Sequence, residues 1–278
     1  MITIKSILEI VDEYDNFIID QWGVMHNGTT GYKHAIESID YLKKKNKNLF
    51  IISNSSKRSK SSKARLPKLG FKDKSFINIL TSGEMIWQVI NKQFSQSDIN
   101  KNCFHIFDKS KEDGLAFRDG LNLSFVDKID NADFILACTP FTGMQPIDYI
   151  PILDKAVSKN LIMYCANPDF ETIENNNNKN IFCMGTIAEI YKNMGGEVII
   201  KGKPEKDIYI EATSSIKLDK MKTIAIGDSI FHDIKGANNF DIDSILVKSG
   251  IHKDLQTIKI LCKNHQIEPT YIIDNFNL

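Results

Sequence analysis

The sequence predicts an α/β protein, a doubly wound parallel sheet. Three observations lead there. Short apolar runs alternate with amphipathic stretches along the chain, the order of a parallel sheet covered by helices on both faces. Three of the runs end in polar residues suited to a crevice beyond the carboxyl edge of such a sheet: Asp20, Ser53-Asn54 and Gly227-Asp228. A chain of 278 residues is long for one core. No proline-rich or serine-rich linker divides it, so if there are two domains the second must be inserted within the first.

The elements follow in order. Phe17-Ile18-Ile19 is an apolar strand running into Asp20. Tyr32, Ala35, Ile36, Ile39 and Leu42 recur at helical spacing. Residues 49–52 form a strand, and a basic helical stretch closes at Leu69-Gly70. The strand at 77–80 ends in Thr81-Ser82-Gly83. In the middle, 104–107, 134–138 and 161–164 read as strands and 146–157 as a helix. The tract Asn175-Asn176-Asn177-Asn178 reads as a solvated loop tip. A helix runs from Met184 to the stop signal Gly195-Gly196. A strand at 198–200 follows, and then a helix with Pro204 suited to its first position. Strands at 222–226, 242–247 and 271–273 complete the chain. With two domains, the expected division is residues 1–82 and 184–278 for the first and an inserted segment of residues 83–183 for the second.

Composition narrows the function. Lys plus Arg equals Asp plus Glu, 35 of each, so no global field draws the chain to nucleic acid or an anionic membrane. The expected partner is a small molecule. The basic run at 57–74 holds eight Lys or Arg against one acid, Asp73; with no aromatic interleaved before Phe71 it reads as a solvated helix face. No apolar stretch reaches signal-peptide or membrane-spanning length. Five cysteines, odd in number and without a CxxC pair, read as reduced thiols of a cytoplasmic protein. A homo-oligomer is compatible with the sequence.

Asp20-Gln21-Trp22-Gly23-Val24, Ser53-Asn54-Ser55-Ser56, Gly202-Lys203-Pro204 and Gly227-Asp228-Ser229 with Asp233 resemble the four ordered motifs of the haloacid dehalogenase superfamily. The interval between the second and third resembles that of the class with a large α/β cap. Thr81-Ser82-Gly83, Asn167-Pro168-Asp169 and the ending Pro269-Thr270-Tyr271-Ile272-Ile273-Asp274 resemble further marks of that class. Any one motif is weak: a lone aspartate at a strand end is usually a cap, and Gly-Asp-Ser is often a loop with an N-cap. Four in order are specific.

The resemblance implies a Mg²⁺-dependent phosphatase for a small phosphorylated metabolite. Asp20 would attack phosphorus and form an aspartyl-phosphate. Asp20, Asp228 and the backbone carbonyl of Trp22 would hold Mg²⁺, with Asp233 steadying Asp228 or a metal-bound water. Ser53 and the amides after it, including Asn54, would bind phosphate oxygens. Lys203 would neutralise the phosphate and restrain Asp20. Asn167 and Asp169 are candidate cap residues facing substrate, or a simple turn.

One position departs from the pattern. The phosphatases usually carry a second aspartate two residues after the nucleophile, as general acid and then base. Here Trp22 stands there, and indole exchanges no proton at neutral pH. His26 is the nearest substitute in sequence, though it also reads as a loop histidine. A similar Asp-x-Trp-Gly subgroup of the large-cap class implies no defined substrate. Two alternatives remain at this stage: a dehalogenase-like hydrolase without a general acid, and a phosphate-ligand sensor without turnover.

Overall fold

The structure, a computed structural model, describes residues 1–94, 101–110, 112–174, 179–249 and 254–278. The asparagine tract at 175–178 lies outside them. Two compact units emerge. The first comprises Met1–Ser53, Ser62–Leu80 and Lys203–Leu278, and the second Asn54–Ser61 and Thr81–Gly202.

In chain order the elements begin with β1 (Ile2–Thr3), β2 (Asn16–Ile19), α1 (Lys33–Lys44), β3 (Asn48–Ser53), α2 (Ser59–Arg65), β4 (Asn78–Thr81) and α3 (Ser82–Phe94). The middle holds β5 (Lys101–Ile106), α4 (Glu112–Phe117), β6 (Leu123–Val126), β7 (Phe134–Ala137), α5 (Ile150–Ser158), β8 (Ile162–Cys165), β9 (Glu171–Glu174) and β10 (Lys179–Phe182). The chain ends with α6 (Met184–Asn193), β11 (Glu197–Ile200), α7 (Lys206–Thr213), β12 (Thr223–Gly227), α8 (Lys235–Phe240), β13 (Asp243–Val247), α9 (Leu255–His265) and β14 (Tyr271–Ile273).

The first unit is built on a seven-stranded sheet in the order β1-β14-β13-β12-β2-β3-β4. The ladders from β1 through to β3 are parallel. Alternation along its strands makes both faces apolar. Ile245 and Val247 cluster with Ala35, Ile39 and Leu42 of α1, while the intervening Leu246 clusters with Ile258 and Cys262 of α9. Helices therefore cover both faces, the double winding the alternating sequence predicts.

The second unit has its own five-stranded parallel sheet, β11-β8-β7-β5-β6, and an antiparallel hairpin of β9 and β10. The same alternation recurs. Phe134, Leu136 and Cys138 pack with Ile86 and Ile90 of α3. Ile135 and Ala137 pack with Leu153 of α5 and with Ile187 and Tyr191 of α6.

That packing corrects the expected boundary at 183. Residues of α6 complete the core of the second unit, and β11 pairs with β8 from Glu197↔Ile162 to Ile200↔Cys165. The second unit accordingly extends to Gly202 and also takes in Asn54–Ser61. Two further differences are local. Pro204 follows Lys203 through a cis peptide, and α7 starts two residues later, after Glu205. Sequence patterning also passed over α4, β6 and the hairpin, which are short and carry weak periodicity.

The basic run at 57–74 is largely engaged locally. Lys57 meets Asp113, Arg58 meets Glu84 at 2.7 Å, Lys60 meets Asp119, and Lys72 meets Asp40 at 2.9 Å. Among the described residues no helix is long and apolar enough to cross a membrane.

Candidate active site

The site follows from the strand order of the first unit. From β2 the chain moves to β3 and β4 on one side; it later resumes at β12 and proceeds to β13 and β14 on the other. The topological switch point, where crevices open in such sheets, thus lies between β2 and β12. Asp20 follows β2 directly, and its N–H donates to the Ile226 carbonyl of β12 at 2.9 Å. Asp228 follows the last residue of β12. On the other flank Ile19 pairs with Ile51, which places Ser53 at the same carboxyl edge.

Asp20, Asp228 and Asp233 are all buried, and one carboxylate oxygen from each lies within 4.8 Å of the others. Lys203 enters the cluster from the loop after β11. Its Nζ donates to Asp20 Oδ1 at 2.5 Å and to Asp233 Oδ1 at 2.6 Å. Burial by itself pulls this ammonium toward the neutral form. The Asp20 and Asp233 carboxylates outweigh burial and hold it well above the ordinary lysine range. Lys203 is therefore a fixed cation rather than a proton donor.

Asp233 is held from several sides. It lies in a π-helical turn, Ile230–Ile234, capped by the Ser229 side chain accepting from the His232 N–H. The Ser229 N–H donates to Asp233 Oδ2 at 3.1 Å. The Tyr209 hydroxyl donates to the Asp233 carbonyl at 3.2 Å. Burial raises that phenol, and the Asp233 carboxylate raises it further. Tyr209 belongs to no motif in the sequence and stands there only as an aromatic on the helix after Pro204.

Three candidates are joined by hydrogen bonds of their own. In the second unit Asn54 Nδ2 donates to Asp169 Oδ1 at 2.8 Å, and the Asp169 N–H donates to Asn167 Oδ1 at 3.0 Å. Asn54, expected as a phosphate donor, thus commits its side-chain amide to Asp169. Gly202 runs beside it with φ of 129°, and an added Cβ would fall 2.6 Å from Asn54 Oδ1.

Trp22 and His26 share a loop of the first unit. Their backbones bridge, and their rings meet edge to face at 5.9 Å. His26 is buried, and its Nδ1 accepts the Gly28 N–H at 3.0 Å. An imidazolium would turn that acceptor into a second donor, so the geometry opposes His26 as the substitute acid.

The arrangement defines a class: a hydrolase with a buried aspartate–lysine pair and clustered carboxylates at a switch point. Two family models match the chain, haloacid dehalogenase-like hydrolase over residues 17–116 and HAD-hydrolase-like over residues 200–277. The chain belongs to the haloacid dehalogenase-like hydrolases. A hydrolase of that family from Brucella suis 1330 superposes with a TM-score of 0.83 at 26% identity, covering 98% of this chain and 99% of that one. A possible sugar phosphatase of the superfamily from Cytophaga hutchinsonii gives 0.80 at 18% identity, covering 100% and 99%. A glycerol phosphate phosphatase from Mycobacterium tuberculosis, in complex with magnesium, gives 0.67 at 19% identity, covering 97% and 77%. Among curated proteins, haloacid dehalogenase-like hydrolase domain-containing protein 2 from Bos taurus is 36% identical over 61 residues, 22% of this chain and 24% of that protein. The match thus spans about a quarter of that relative.

Proposed function

We propose that the chain is a Mg²⁺-dependent phosphatase acting on a small phosphorylated metabolite through an aspartyl-phosphate at Asp20. One observation carries this reading: Asp20, Asp228 and Asp233 cluster, buried, with ligand oxygens within 4.8 Å and Lys203 ion-paired to two of them. Three carboxyl groups against one ammonium form a hard oxygen-donor set of the kind that suits Mg²⁺. Asp20, Asp228 and the Trp22 carbonyl would hold the ion, with Asp233 steadying Asp228. When bound, Mg²⁺ would act as a Lewis acid on the phosphoryl oxygens.

The chain's own residues supply the rest. An Asp20 oxygen attacks phosphorus, and the bond to the leaving oxygen breaks with its electron pair on that oxygen. Water then attacks the acyl phosphate, releasing phosphate and restoring the carboxylate. Lys203, its proton held by two carboxylates, offsets charge on the phosphoryl group in both steps. Ser53, at the same carboxyl edge, donates to phosphate oxygens. The shared fold of a possible sugar phosphatase and a glycerol phosphate phosphatase supports the reading. A halide-displacing role is disfavoured, because it has no use for the buried carboxylates beyond Asp20.

The test is a panel of phosphorylated metabolites with purified protein and its Asp20→Asn variant, with and without Mg²⁺. Mg²⁺-dependent phosphate release that Asp20→Asn abolishes is the expected result. Tight vanadate binding without turnover of any ester would assign the chain to ligand sensing instead.

A further inference from the structure

We infer that the Trp22 indole reads the leaving group, and that the preferred substrates are phosphate esters of aromatic alcohols. The inference rests on Asp20 as the attacking group. Trp22 lies two residues beyond it and is 38% exposed. Its indole N–H meets no hydrogen-bond partner among the described residues; the ring's one aromatic neighbour there is His26.

The ring is nevertheless held. Gly28, with φ of 89°, passes so close to the six-membered ring that an added Cβ would fall 2.2 Å from Cζ3 and 2.3 Å from Cη2. Only glycine fits against that ring. Gly28 is itself fixed at both polar atoms: its N–H donates to His26 Nδ1 at 3.0 Å, and its carbonyl accepts from Arg65 Nη2. Asn27 Oδ1 closes the same loop by accepting the Thr29 and Thr30 N–H groups at 3.0 and 2.9 Å. A scattered surface aromatic needs no such support. A planar ring ordered in advance loses little entropy when a second ring stacks on it.

The chemistry agrees. Indole N–H donates a hydrogen bond but yields no proton. As the Asp20 oxygen bonds to phosphorus, the ester bond breaks and the pair stays on the leaving oxygen, which departs as an anion. A phenolate does this without protonation; an alkoxide does not. Water in the second step returns its proton to solvent as phosphate leaves. One residue thus favours the same leaving groups by stacking and by withholding a proton.

The chain has two tryptophans, so in a Trp87→Phe background the emission reports Trp22. With Mg²⁺ present, phenylphosphonate should quench it and bind roughly tenfold tighter than methylphosphonate, the upper end of an aromatic pair. Trp22→Leu should lower the phenyl-to-methyl ratio of kcat/KM for the phosphate esters by about tenfold, mainly through KM, and Trp22→Phe should restore most of it. Equal affinity for the two phosphonates, or an unchanged ratio in Trp22→Leu, would overturn the inference. If Trp22→Leu does not fold, the phosphonate titration still decides. Asp20→Asn separates the two claims. A phenyl preference that survives it supports the Trp22 assignment whether or not turnover is lost, whereas turnover that survives it removes only the nucleophile.

Discussion

Gly227 and Asp233 approach so closely that a Cβ on Gly227 would lie 2.0 Å from Asp233 Cγ. Asp233 cannot retreat, because one oxygen is held by Lys203 and the other by the Ser229 N–H. The glycine is thus a spacing requirement of the carboxylate cluster. Gly227→Ala should cost about 1–3 kcal/mol, the usual range for overpacking a buried site. It should also weaken Mg²⁺ binding. Calorimetric titration with Mg²⁺ beside urea unfolding checks both, and unaltered Mg²⁺ affinity would show that Asp233 takes no part in the site.

Lys203 is the cation that lets the carboxylates share a buried site. Lys203→Met keeps the length of the chain and removes the charge. Without metal it should destabilise the first unit by about 3–5 kcal/mol, the range for breaking a buried pair. Mg²⁺ should recover part of that loss, because a ligand bound only by the folded state stabilises it by mass action. Denaturation with and without Mg²⁺ measures the difference. An equal loss in both conditions would mean that the ion does not occupy this cluster.

Acid sensitivity should come from His105 in the second unit. It is buried, Arg118 Nε donates to its Nδ1 at 3.2 Å, and Cys138 Sγ lies 3.2 Å from Nε2. Burial, and then the Arg118 charge, push its pKa down to about 3. The folded value lies below the ordinary one of about 6.5. Stability from this group is therefore complete above pH ~6.5 and is lost as pH falls toward the folded value. By pH 4 the loss should approach about 3 kcal/mol. Urea midpoints for wild type and His105→Phe, compared from pH 7 to 4, test this. Parallel curves would count against it.

Trp22→Asp asks what the indole displaced. A carboxylate there should raise kcat/KM for alkyl phosphates by up to roughly 10²-fold, the low end of general acid–base contributions. Aryl esters should gain little, since their leaving group needs no proton. Rates belong to folded protein only, because losing the ring against Gly28 leaves a void. Equal gains on both ester classes would point to altered packing rather than proton supply.

Much of this protein is legible in its sequence alone. The alternation of apolar runs determined the parallel sheets, because strands apolar on both faces must be covered twice. Asp20 and Asp228 could be named in advance, since strand ends at a switch point converge whatever separates them in the chain; Asp233 came only with the resemblance to ordered motifs, and Lys203 follows a strand of the other sheet. Tertiary structure decided the rest. Whether α6 and β11 closed the first sheet or extended the second depended on which apolar face they met. Periodicity shows that a face exists but not its partner. The close approaches of Gly227 to Asp233 and of Gly28 to the Trp22 ring have no local signature, because a steric requirement exists only between atoms that folding brings together. The Asn54–Asp169 hydrogen bond is of the same kind: it joins residues more than a hundred positions apart, and no local pattern in either records the other.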